Sequence, residues 1–180
     1  MDTIEAIKTR RSIRGFTNEP VSDEAVGKIL EAGRWAPSGL NNQAWRFIVV
    51  RNHDTKMAFS KLTEYGPTII NAPVIIVVFL DKEHMYHYVK DVQSIGACIQ
   101  NMLLAIHSMG LGAVWLGEIL KNKELANKII AAPEPFELMA VLALGHAVTN
   151  SRFSERKKLD EIAFRERFGT KWQVPEDTGD

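Results

Sequence analysis

The sequence predicts a layered α/β domain, on three observations. Segments with helical apolar spacing alternate with short apolar runs along the chain, an order that favours a helix-covered sheet over a bundle. One of those runs, Val74 to Leu80, is rich in β-branched residues and lacks polar alternation, so it reads as a central strand with both faces covered. No internal repeat, low-complexity tract or long linker divides the 180 residues, a length that suits one ordinary domain.

The elements follow in order. Thr3 is read as the N-cap of a first helix running to about Arg11, with Ile4 and Ile7 on its apolar side. Ser22, followed by Asp23 and Glu24, has the form of an N-cap with an acidic first turn. Val26, Ile29, Leu30 and Gly33 then recur at helical spacing until a stop before Pro37. Ala36 to Gln43 is dense in turn formers and short polar side chains and is expected to be a loop. Arg46 to Arg51 is the first strand, and Asp54 starts a surface helix that Gly66-Pro67 ends or breaks before the Val74 strand. From Tyr86 to Met109 a long helix places Val89, Val92, Ile95, Ile99, Met102, Leu103 and Ile106 on one broad apolar face, and Gly110 stops it. A short strand from Ala113 to Leu116 ends at Gly117-Glu118. A helix over 124–131, a strand over 138–145 and a last helix from Leu159 to Arg167 complete the reading.

Composition removes several function classes. Basic and acidic residues balance at 22 each, so no overall field draws the chain to nucleic acid or anionic lipid. The longest apolar run is far short of the roughly 20 residues a membrane-spanning helix needs. The single cysteine, Cys98, sits on an apolar helix and is expected to be a small core residue rather than a nucleophile. With no apolar secretory segment apparent at the start, the expectation from these features is a cytoplasmic protein without membrane association. Gly110-Leu111-Gly112-Ala113-Val114-Trp115 imitates a dinucleotide fingerprint, but tryptophan stands where a third glycine is needed and the order is helix to strand. There is no phosphate-cradling P-loop and no G-x-S-x-G, and His84 and His87 lack a metal-binding companion motif, so no metal is expected. If the protein is an enzyme, a bound cofactor carries the difficult chemistry.

Two segments keep their interest. Arg10-Arg11-Ser12-Ile13-Arg14 packs three guanidinium groups and a hydroxyl into five residues, a set suited to a phosphate monoester. Solvated surface charge is the competing reading. Pro37-Ser38-Gly39-Leu40-Asn41-Asn42-Gln43 offers uncharged donors and acceptors that suit the edges of a heterocyclic cofactor, or forms a plain connection. Arginines fall in two blocks, at 10, 11, 14, 34, 46 and 51 and at 152, 156, 165 and 167, which invites the idea that both ends converge on one anion.

With the strand end Trp115-Leu116-Gly117-Glu118, these segments resemble the nitroreductase family of FMN-dependent oxidoreductases. The resemblance runs from Ile4 to about Phe164 and takes in R-R-S-x-R, Thr17 to Val21, and A-P-S-x-x-N-x-Q-x-W with Ala44 where the family has proline. It continues through Gln100 to Ala105, Gly110-Leu111-Gly112 and Arg156 to Glu161. It implies an α+β three-layer sandwich, with a central mixed, mainly antiparallel sheet flanked by helices, as one FMN-binding domain over 1–170 with a tail at 171–180. It also implies an intertwined homodimer with two FMN sites at the interface. Arg10, Ser12 and Arg14, with Arg11 contributing, would meet the phosphate and flavin edge. Pro37, Ser38, Gly39 and Asn41 would come from the other subunit, Gly117 and Glu118 would place backbone groups by the flavin N5, and Arg156 would close on the phosphate. Larger members of the family carry an asparagine and a lysine shortly before the second central strand, and Glu64 to Thr68 offers no equivalent lysine. NADH or NADPH would donate electrons in a ping-pong reaction to a small aromatic acceptor such as a nitro compound or quinone. Dehalogenation or ring reduction is the alternative within flavin chemistry, and a phosphate- or nucleic-acid-binding module the alternative outside it.

Overall fold

The computed structural model describes residues 1–148 and 154–172. Arg152 and residues 173–180 of the expected tail lie outside the described residues. The chain runs α1 (Thr3–Thr9), α2 (Asp23–Arg34), β1 (Trp45–Val50), α3 (His53–Ser60), α4 (Gly66–Asn71), β2 (Val74–Asp81), α5 (Tyr88–Ser108), β3 (Gly112–Leu116), α6 (Lys123–Ile129), β4 (Phe136–Gly145) and α7 (Leu159–Ile162). Two 3-10 turns lie at Gly39–Asn41 and Glu118–Asn122. The chain divides into two compact units, Met1–Asn150 and Ser151–Asp180.

In the first unit the strands are ordered β1-β2-β4-β3, and each pairs antiparallel with its neighbour. This corrects the α/β expectation, because alternation of element types records burial and not strand direction. The architecture is α+β, as the family resemblance implies. Parallel pairing is limited, among the described residues, to an isolated bridge between Ser12 and Ala113.

Every residue of β2 is buried, as its unbroken apolar run requires. Val74, Ile76, Val78 and Leu80 pack on one face with Ile29 of α2 and Ile95, Ile99 and Met102 of α5. Ile75, Val77 and Phe79 pack on the other with Phe59 of α3, Ile69 of α4 and Ala126 of α6. Two cores on opposite faces of one sheet make three layers. Cys98 is fully buried in the first core, and burial pushes its thiol up to about 12.

Local chemistry explains where the elements depart from expectation. Asp2, not Thr3, caps α1, its Oδ1 accepting from the N–H groups of Ile4 at 2.8 Å and Glu5 at 3.0 Å. That helix ends at Thr9, and Ile4 and Ile7 are exposed while Ala6 is buried. Gly66-Pro67 does not break a helix but begins α4, since proline in a first turn has no N–H to lose. The carbonyls at the other end of α4 are capped by the buried Lys56, whose Nζ donates to Ile70 at 3.2 Å and Ala72 at 2.6 Å. Val89 on α5 faces outward rather than into the core. The last helix stops at Ile162 instead of Arg167, and Phe164 then bridges back to Lys171. Ser22, by contrast, caps α2 through Ala25 N–H as read. No helix among the described residues is long and apolar enough to cross a membrane.

Asp81 closes β2 with a buried carboxylate that accepts from Arg46 at 2.6 Å and His84 Nδ1 at 2.8 Å. Burial pushes its carboxyl up, but the His84 hydrogen bond, the Arg46 charge and the Glu83 N–H outweigh it and hold it below the usual carboxylate range. A depressed carboxylate stabilises the fold above its unfolded value of about 4 and loses that contribution as pH falls below it. Urea midpoints should therefore drop more steeply from pH 5 to pH 3 in the wild type than in Asp81→Asn.

Candidate functional site

The arginine-rich segment leaves α1 in extended conformation and runs beside the edge strand β3. Ser12 bridges Ala113, and Ile13 N–H donates to the Ala113 carbonyl at 2.9 Å. The approach needs glycine at 112, because a Cβ there would meet Ile13 at 2.8 Å. Next to this segment a cavity of about 260 Å³ opens between the ends of α1 and α5, lined by Thr9, Arg10, Arg11, Ile13 and His107 among others. Arg11 Nη1 donates to the carbonyls of Lys8 at 2.7 Å and Arg10 at 2.9 Å, which orders its side chain.

Arg14 lies over the ring of Tyr65, 5.5 Å from its centroid. Its Nε is buried with no hydrogen-bond partner among the described residues. A buried charged donor without an acceptor points to one supplied from outside the chain. FMN fits this set by its chemistry: a dianionic phosphate suits clustered guanidinium groups, and a flavin's polar edge presents acceptors to a donor such as Arg14 Nε.

Gly117 and Glu118 follow the end of β3 and open the 3-10 turn, with clear space on Gly117. The Glu118 carboxylate is engaged elsewhere. It accepts from Thr63 Oγ1 at 2.5 Å and Glu64 N–H at 3.2 Å and pairs with Lys121. The Lys121 and Thr63 hydrogen bonds hold it below the usual carboxylate range against a smaller opposing effect of burial, so its side chain stays ionised at neutral pH. What it offers a ligand is backbone, while its carboxylate ties the Thr63–Tyr65 turn under Arg14 to the end of β3.

Pro37, Ser38 and Gly39 form another cleft of about 320 Å³ with Lys90, Gln93, Ser94 and Ala97, and Asn41 does not line it. Leu40, Asn41 and Gln43 all have φ near +50°, with right-handed Asn42 between them, and each left-handed non-glycine residue costs about 1 kcal/mol or more. The surrounding bonds hold the loop. Gln43 N–H donates to Ser38 Oγ at 3.1 Å, and Asn42 Nδ2 donates to the buried Asp91 at 2.6 Å. Asp91 also accepts from Tyr86 N–H at 2.9 Å and His87 N–H at 2.7 Å, so one carboxylate caps α5 and anchors the loop. Burial pushes the Asp91 carboxyl up, but these donors outweigh it and lower it. Tyr86 lies so close to Gly39 that a Cβ there would come within 2.8 Å of the ring.

The arginine segment and the Pro37 loop thus line separate clefts of the one chain. Arg156 lies in the second unit, donating to Ser154 Oγ at 2.8 Å and the Glu155 carbonyl at 2.9 Å. Sequence reasoning missed Tyr65, Thr63, Lys121, Asp91 and His107. Of these only Asp91 had a local signal, an acid four residues after His87 at a helix start. His84 serves Asp81, and among the described residues no three His, Cys, Asp or Glu side chains gather as a metal site.

The model of the nitroreductase family matches residues 7–65 and 57–146. The chain belongs to the nitroreductase family. Among its relatives in that family is a Methanothermobacter thermautotrophicus protein provisionally named NADH dehydrogenase/NAD(P)H nitroreductase, 38% identical over 152 residues, which are 83% of this chain and 80% of the relative. The NAD(P)H-dependent FMN reductase of Bacillus subtilis is 26% identical over 185 residues, 93% of this chain and 74% of that one. A crystal structure of a provisionally named nitroreductase from Desulfovibrio desulfuricans in complex with FMN matches with a TM-score of 0.88 and 48% identity, covering 93% of this chain and 99% of the other. The nitroreductase fold therefore extends over nearly the whole chain.

Proposed function

We propose that this chain is an FMN-dependent oxidoreductase that passes two electrons from NADH or NADPH to a small aromatic acceptor, such as a nitro compound or quinone, by a ping-pong mechanism. It works in the cytoplasm as an intertwined homodimer with two FMN sites. The observation that carries the reading is Arg14, a buried guanidinium nitrogen without an acceptor among the described residues, on the same short segment as Arg10 and Arg11, which line a cavity. Bound FMN supplies hydride acceptance and return at N5, which no side chain here performs.

The chain's own part is binding and electrostatics. Arg10, Arg11 and Ser12 would hold the phosphate, and Arg156 is assigned to that phosphate on the family resemblance. Arg14, steadied on Tyr65, donates to the flavin's polar edge and favours negative charge there, a role suited to a family member without the usual lysine. Gly117 and Glu118 present backbone at N5. Because Pro37, Ser38 and Gly39 line a different cleft from Arg10 and Arg11, we assign them, with Asn41 of the same loop, to the flavin of the second copy.

The purified protein is expected to be yellow, to bleach on anaerobic addition of NADH or NADPH, and to recover colour with a nitroaromatic or quinone but not with a halogenated aromatic. A colourless protein with salt-sensitive affinity for nucleic acid would overturn the reading. Light scattering should give a dimer, and a monomer with full flavin occupancy would refute the cross-subunit loop.

A further inference from the structure

The cavity at the end of α1 holds a titratable group that the FMN reading leaves without a role. His107, in the last turn of α5, lines it together with Arg10 and Arg11, above an apolar floor that includes Leu103 and Ile106. Hydrogen-bond accounting fixes its tautomer. Thr9 Oγ1 gives its only hydrogen to the Glu5 carbonyl at 2.7 Å, so its 2.8 Å contact with His107 Nε2 requires that Nε2–H donates. Nδ1 is then the atom that gains or loses a proton.

The charges around the ring oppose that proton while the cavity holds no anion. Burial, then Arg10 and Arg11, hold His107 below the ordinary imidazole range, and Glu5 is the one facing group that acts the other way. These three side chains all come from α1 and the segment after it. Of the remaining walls, Gly110, Leu111 and Ala113 from the approach to β3 present no ionisable group, while Met1 brings the α-amino group of the chain, which is common to the wild type and to any His107 variant. A phosphate dianion in this cavity offsets the charge of the two guanidinium groups, so their opposition to a protonated imidazole is lifted and the proton becomes favoured beside the anion.

Building on the FMN reading above, we propose that His107 is a further cofactor-binding residue, taking up a solvent proton at Nδ1 as the FMN phosphate enters the cavity beside Arg10 and Arg11. Through Nε2–H it also fixes Thr9, and with it the backbone that presents Arg10. FMN binding is consequently coupled to proton uptake, and its phosphate contributes more to affinity at acidic than at alkaline pH.

The test titrates FMN, and riboflavin as a control without phosphate, into apoprotein from pH 6 to pH 8.5, following flavin fluorescence. His107→Gln keeps an amide donor for Thr9 but cannot be protonated. The phosphate's own ionisation near about pH 6 affects both proteins alike, so the ratio of their FMN dissociation constants isolates His107. The wild type should bind FMN about tenfold more tightly than His107→Gln at pH 6 and equally at pH 8.5, a ratio equivalent to a one-unit shift of the imidazole. Riboflavin should show no such ratio. In the wild type, the NMR titration midpoint of the His107 ring should move to higher pH with FMN and stay put with riboflavin. Equal pH dependence in both proteins, an equal loss for riboflavin, or a His107 midpoint unmoved by FMN overturns the proposal and leaves the FMN reading standing. A wild type that binds neither flavin overturns that reading, and this inference with it.

Discussion

Arg10→Ala is expected to yield a folded protein that loses FMN on gel filtration, with affinity lower by on the order of 10- to 100-fold. The size follows from a charged hydrogen bond to phosphate contributing about 1.5–3 kcal/mol, or roughly one to two powers of ten in binding. Folding should survive because Arg10 sits past the end of α1, outside both apolar cores. The apoprotein's thermal midpoint should match the wild type, and affinity for riboflavin should fall far less than affinity for FMN. Tight FMN retention by Arg10→Ala would refute the phosphate role.

Asp91→Ala is expected to lower stability by about 3 kcal/mol, or the thermal midpoint by roughly 10 °C in a chain of this size. The carboxylate is almost wholly buried and satisfies three donors, the N–H groups of Tyr86 and His87 and the amide of Asn42. Removing it frays the start of α5 and releases the restraint on Leu40, Asn41 and Gln43, whose left-handed backbone is unfavourable without support. FMN affinity should fall alongside stability, because the same loop is assigned to the flavin. Asp91→Asn, which keeps one acceptor oxygen, should fall between. An unchanged thermal midpoint in the alanine variant would mean that the loop holds its shape by other contacts.

The sequence made some of these features legible and hid others for physical reasons. The strand at Val74, the Ser22 cap, the buried Cys98 and the turn-rich Ala36–Gln43 segment were readable because each depends on neighbours within a few residues. Strand direction was not, since antiparallel and parallel strands with covered faces share one apolar pattern. Gly66-Pro67 misled because the same dipeptide stops one helix and starts another. In the site, the Arg10–Arg14 cluster and the Pro37 loop were visible as donor-rich stretches. The Tyr65 ring under Arg14 and the Thr63 hydroxyl on Glu118 were invisible, because nothing local marks a contact made across some fifty positions of chain.

The fully buried Cys98 has a practical consequence. With its thiol pushed up to about 12, the native protein presents almost no thiolate at neutral pH, and it has no other cysteine. Iodoacetamide will therefore spare the cysteine of the folded chain and alkylate it only when α2 and α5 part. The slow appearance of alkylated protein becomes a built-in clock for core opening, readable by mass spectrometry without any engineered label.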